Sequence, residues 1–205
     1  MGKKGWQRGQ STVEFGISAV VLILILFGLI DLGRAMYFGV GLRSAAREGA
    51  RQGTWFDWDN VNSVGVLSHL YDTDGCSGSC DPCKDATGGI KEAVDCSLKQ
   101  SNLPTSVLQN PTTTCPSTSD GNGNHNPPYV SSAYSASAGR PLLYICYENT
   151  PGLDITAPPT DTSMKGKDVN VIVLMNFQFA SGFLQGVLGS AIPMAANTHM
   201  LVGGW

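Results

Sequence analysis

The residues with the most chemistry to offer are six cysteines: Cys76, Cys80, Cys83, Cys96, Cys115 and Cys146. An even number, all C-terminal to one long apolar run, suits disulfides formed in an oxidising compartment. Sequence allows fifteen pairings and does not choose among them. The rival chemistry is a zinc site from Cys76, Cys80, Cys83 and Cys96. Only one CxxC (Cys80 and Cys83) is present, inside a Gly/Ser-rich stretch, whereas structural zinc favours paired knuckles. Asp120, Asn122 and Asn124 alternate like oxygen ligands of a calcium loop, but position six is His125 and position twelve is Ser131. That makes them a weak calcium candidate and a better turn cluster. His69, His125 and His199 are scattered, and no HExxH, GxSxG, Walker A or GxGxxG pattern occurs. The chain carries no catalytic signal, calls for no cofactor and is read as a non-enzyme.

The other chemically suggestive pair is Ser11 and Glu14. An acidic group entering a membrane segment costs a few kcal/mol unless it is paired or interfacial. Two explanations stay open and are compatible. Ser11-x-x-Glu14 has capping-box spacing, with each side chain satisfying the other's backbone N–H, and the helix dipole favours a first-turn carboxylate. Alternatively, Glu14 neutralises a positive group on a neighbouring subunit in the membrane plane.

The element that must position Glu14 is the run Phe15–Ile30, sixteen residues without a charge. With Thr12, Val13 and the flanking Glu14 the zone comes to about nineteen, against the ~20 residues of a membrane-spanning helix. No second run is as long. A core helix normally keeps a polar face, and none shows here. A cleaved secretory signal fits poorly, because no small-x-small site follows the run. Past Asp31 the helical pattern continues: Ala35, Phe38, Leu42, Ala45 and Gly49 recur at three- and four-residue steps and mark one face. The expectation is one helix from about Ser11 to Gly53, roughly 65 Å long. Gly28, Gly33, Gly39 and Gly41 punctuate it, permitting close packing, local melting or nothing at all. Lys and Arg flank both ends of the span, so positive-inside counting is nearly balanced. The cysteines favour an N-in, C-out orientation.

Beyond the helix, Trp55, Phe56 and Trp58 suit an interfacial belt or core contacts. Apolar spacing suggests short helices over Val61–Tyr71 and Asp85–Leu98. Asn102–Ala138 is rich in Ser, Thr, Asn, Pro and Gly and reads as a mobile or disulfide-ordered loop. Leu142–Tyr147 and Val169–Phe179 have strand character. In the second, Val169, Val171, Val173, Met175, Phe177 and Phe179 alternate onto one face. Met194–Val202 is a weaker third strand.

Composition narrows the classes further. The 205 residues carry a net charge of −3, with 14% charged and 42% hydrophobic residues. That excludes a basic nucleic-acid binder and a fully disordered chain.

Several signatures together resemble the TadE-like family. They are Arg8-Gly9-Gln10-Ser11-Thr12-Val13-Glu14-Phe15, the apolar run, Asp31-Leu32-Gly33-Arg34, Tyr37, and Ala45-Ala46-Arg47-Glu48-Gly49-Ala50-Arg51. The likeness is close over residues 8–53 and returns in the C-terminal strand, turn and strand, while residues 54–163 depart from the family pattern. These proteins are minor pilins or pseudopilins of tight-adherence (Tad, Flp-type) type IV pilus systems. The resemblance implies processing by a prepilin-type peptidase after Gly9, leaving Gln10 as the first mature residue. Glu14 is then the fifth, the position that pairs with a neighbour's N-terminal amine.

The expected architecture is α+β and pilin-like. A long N-terminal helix, half transmembrane and half amphipathic, packs on a small antiparallel sheet with a disulfide-rich loop region. Residues 1–9 form a short basic leader-like segment, 10–53 the helix with its span at about 12–30, and 54–205 an extracytoplasmic head. Expected partners are other pilin subunits, membrane lipid, the prepilin-type peptidase and the pilus assembly machinery, with no nucleic acid. The alternative is an uncleaved, membrane-anchored binding or adhesion module that does not polymerise.

Overall fold

A computed structural model describes residues 7–54 (backbone alone for 7–10), 90–103, 115–121, 126–135, 139–147 and 166–202. The fold is α+β. One helix, α1 (Gln7–Thr54), runs unbroken for 48 residues. It begins four residues ahead of Ser11, so Ser11 lies inside the helix. This corrects the expected cap: a capping residue needs non-helical backbone, and Ser11 is helical. A second helix, α2 (Ile90–Gln100), ends two residues later than expected. The belt residues Trp55, Phe56 and Trp58, the expected helix Val61–Tyr71, and residues 85–89 lie outside the described residues.

Three strands follow: β1 (Leu142–Tyr147), β2 (Asp168–Gln178) and β3 (Ala191–Leu201), with a short helix α3 (Gly182–Leu188) between the last two. The sheet has the order β1-β2-β3 and is antiparallel throughout. Leu142 faces Leu174, and Val173 faces Ala196. β1 matches the expected residues, and β2 is displaced by a single position.

Alternation along β2 places Val169, Val171, Val173, Met175 and Phe177 against the helix, with Leu42, Ala45, Ala46 and Ala50 as its contribution. Ala35 and Phe38 are partly buried at the edge of the same core. The expected seam is therefore the one used. Phe38 and Phe177 meet edge-on at 5.4 Å between centroids, a favoured aromatic geometry.

α2 runs antiparallel to α1, and glycines set how close it comes. A Cβ on Gly49 would lie 2.5 Å from a Val94 methyl, and one on Gly41 would lie 2.4 Å from a Leu103 methyl. Ser97 reaches Ser44 across the same seam, and the Tyr37 hydroxyl donates to the Ser101 carbonyl at 2.5 Å.

The other face of β2 is buried too, which alternation onto one face did not foresee. Ile172 and Leu174, with Leu142, Tyr144 and Cys146 of β1, pack under Tyr129 and Ala133. The Tyr144 hydroxyl donates to the Ala133 carbonyl at 2.7 Å, and the Asn176 side chain donates to the Ser135 carbonyl at 2.8 Å. Cys115 and Cys146 form a disulfide that ties this layer to β1. The described part of the Asn102–Ala138 stretch is thus an ordered second layer, stapled as the disulfide alternative expected.

Candidate assembly and membrane interface

α1 changes character at Asp31. Before it, residues 11–30 are exposed or nearly so, including Val13, Phe15, Ile17, Val20, Leu22, Ile25 and Leu29. After it, one face is buried in the head. The apolar half is long and apolar enough to cross a membrane, and none of it is buried inside the protein. Its twenty residues at 1.5 Å each span about 30 Å, the thickness of a bilayer's hydrocarbon core. The alternative of a helix folded into its own core is not what the structure shows.

Glu14 is exposed on this stem. Eighteen residues is about five helical turns, so Glu14 shares a face with Leu32. That face continues through Met36, which is 66% exposed, to Val40. It points away from the seam that holds the head. The glycines sort the same way: Gly16, Gly28 and Gly33 have open space where a Cβ would be, whereas Gly39, Gly41, Gly49 and Gly53 meet side chains of the head.

Asp31 fastens stem to head. It is only 1% exposed. Its Oδ1 accepts from the Ala180 N–H at 3.0 Å, and its Oδ2 accepts from the Ser181 N–H at 3.0 Å and the Ser181 hydroxyl at 2.5 Å. Arg34 closes the group, 3.3 Å from Oδ1, while its guanidinium lies 5.6 Å over the Phe177 ring. The Ser181 hydroxyl bond leads in holding the Asp31 carboxyl below its ordinary value; burial opposes it, and the two backbone donors and Arg34 assist. The sequence reading missed this role. The signal was there, because stepping the seam back four residues from Ala35 lands on Asp31.

At the far end of the sheet, His199 Nδ1 contacts the Asp168 carboxylate, and His199 Nε2 lies 2.6 Å from Asn126 Oδ1. Asn197 donates to the same oxygen at 2.8 Å. Pairing of β2 with β3 brings Asp168 to His199, one of the three histidines that the sequence scatters. Among the described residues no three His, Cys, Asp or Glu side chains gather as metal ligands. Cys96 is disulfide-bonded, so its sulfur is not a zinc thiolate. Cys115 and Cys146 are bonded to each other, and Cys76, Cys80 and Cys83 lie outside the described residues. Asp120 is exposed, and Asn122 and Asn124 also lie outside.

Residues 9–51 match the family model described as TadE-like protein. The match covers Gly9, Gln10, Ser11, Glu14 and Asp31 and nearly all of the helix, and none of the sheet. No curated protein and no solved structure matches the chain.

Proposed function

We propose that this chain is a pilin-like structural subunit that takes part in assembling a Tad-type pilus, as a minor pilin, pseudopilin or filament subunit. One observation carries the reading. A single unbroken helix, matched to the TadE-like model over residues 9–51, is bare and apolar in one half and locked into a folded head in the other.

The physics of that division suits two successive environments. In the membrane, residues 12–30 bury their side chains in lipid, with the N-terminus cytoplasmic and the disulfide-bearing head outside. In a filament, the same side chains pack against copies of the same helix, and Gly16, Gly28 and Gly33 allow backbones to approach closely. Glu14 then pairs with a positive group on a neighbour, the amine of Gln10 after a prepilin-type peptidase cuts behind Gly9. A carboxylate among apolar helices is best accommodated where a positive group faces it, so the pairing favours one axial register.

Mass spectrometry of the chain recovered from its native envelope tests the processing step, with a mature start at Gln10 expected. Filament imaging of Glu14→Ala cells tests the pairing, with assembly lost and the membrane-inserted subunit retained. A chain that keeps Met1 and is indifferent to Glu14→Ala is instead an anchored binding or adhesion module.

A further inference from the structure

The head carries a second apolar feature at the level where the stem ends. β2 runs antiparallel to α1: Val169 lies beside Gly53, Val171 beside Gly49, Phe177 beside Phe38, and Ser181 on Asp31. The corner formed by residues 179–190, which contains α3, therefore sits at the stem's exit from the apolar zone. α3 tucks Leu184 against the core and turns Val187 (66% exposed) and Leu188 (56%) outward. Gln185 folds back onto the Phe179 carbonyl at 2.8 Å. Gly189 ends the helix at φ +95°, a backbone shape that favours glycine, and the chain returns directly into β3. From Val169 to Trp205 the sequence has no Asp, Glu, Lys or Arg.

We infer that α3 is a second lipid-contacting element, its Val187 and Leu188 seated in the headgroup and upper acyl region beside the stem. The occupant is a lipid surface, for three reasons. The patch lies at the level where the apolar stem ends, which the Asp31–Ser181 contact fixes. An uncharged corner pays no ion-desolvation cost on entering the interface. Among the described residues, the charged side chains at its edge are Asp31, already paired with Arg34 and bonded to Ala180 and Ser181, and Arg34 itself, about 4.5 Å further along the helix, at headgroup depth. The head thus rests on the membrane at two points, which limits its tilt about the stem.

The inference rests on the reading of residues 12–30 as a membrane stem. Its test uses the full chain in phosphatidylethanolamine–phosphatidylglycerol vesicles, with a benzophenone amino acid placed singly at Val20, Leu188 or Leu201. Leu201 is as exposed as the corner residues, at 69%, but lies about 30 Å away along β3. After irradiation, lipid adducts are expected at positions 20 and 188, with the yield at 188 about tenfold above that at 201, as interfacial insertion requires. Adducts at 20 with equal yields at 188 and 201 overturn the inference and leave the stem intact. Cross-linking of 188 to a second copy in place of lipid also overturns it. An unlabelled position 20 defeats the stem reading itself, and this inference with it.

Discussion

Asp31 and Ser181 stand 150 residues apart in the chain and are joined by two hydrogen bonds, from the Ser181 N–H and from its hydroxyl, to one carboxylate oxygen. That contact fixes where the bare stem stops and the head begins. It also sets the height of α3.

Replacing Asp31 with alanine removes the acceptor and leaves the Ala180 and Ser181 N–H groups to find water. Charge-assisted hydrogen bonds are worth more than neutral ones, so the head is expected to lose about 2 kcal/mol. Asp31→Asn keeps one acceptor oxygen and loses less. Denaturant unfolding in micelles, followed by the near-ultraviolet signal of the head, reads both. A change under 0.5 kcal/mol, the usual surface range, means the clasp is incidental.

The same carboxylate gives the head an acid sensitivity of known sign. Its folded value lies below the ordinary 3.8 of the unfolded chain. The stabilisation is therefore complete above that unfolded value and is lost as pH falls through the folded one. Other carboxylates titrate in the same range, so the informative quantity is the difference between wild type and Asp31→Asn. Their stabilities are expected to converge as pH falls below about 4. Curves that stay parallel over that range remove Asp31 from the explanation.

Gly49 and Gly28 are both helical glycines with opposite surroundings. A methyl at 49 collides with Val94 at 2.5 Å and crowds Val171 at 3.1 Å, whereas one at 28 meets nothing. Gly49→Ala is expected to cost about 1–3 kcal/mol through overpacking. Gly28→Ala is expected to leave the isolated subunit unchanged or about 1 kcal/mol better through helix propensity. Thermal unfolding of both variants checks the contrast. A penalty for Gly28→Ala that appears only in assembled filaments locates Gly28 in a contact between subunits.

Cys115 and Cys146 close a loop with a sequence separation of 31. Constraining a loop of that size in the unfolded chain is worth about 3–4 kcal/mol. The paired Cys115→Ser and Cys146→Ser variant should lower the melting temperature and expose the second layer, Tyr129 and Ala133, to proteolysis before the helix–sheet core. Simultaneous cleavage of both layers contradicts a staple confined to one face.

The readable parts of this fold were those set by short-range patterns. β1 and β2 stood out because β-branched and aromatic residues cluster there, and the seam from Ala35 to Gly49 stood out because helical spacing repeats. The layer over Ile172 and Leu174 did not, since a near-continuous apolar strand buried on both faces gives no hint of what covers the second one. Ser11-x-x-Glu14 carried a genuine capping pattern, yet the helix continues through it to Gln7. Asp168 and His199 could not be paired without knowing that β2 and β3 are neighbours.

The amino-acid sequence by itself determined the stem, its length and the single face on which the head is carried, because periodicity and hydrophobicity act over a few residues and survive in any fold. The tertiary structure alone decided that Asp31 holds Ser181, that Gly41 and Gly49 are spaces for α2 while Gly28 is open, and that α3 lies where the stem ends. Each of these depends on which distant segments the closed chain brings together, and no local pattern encodes that choice.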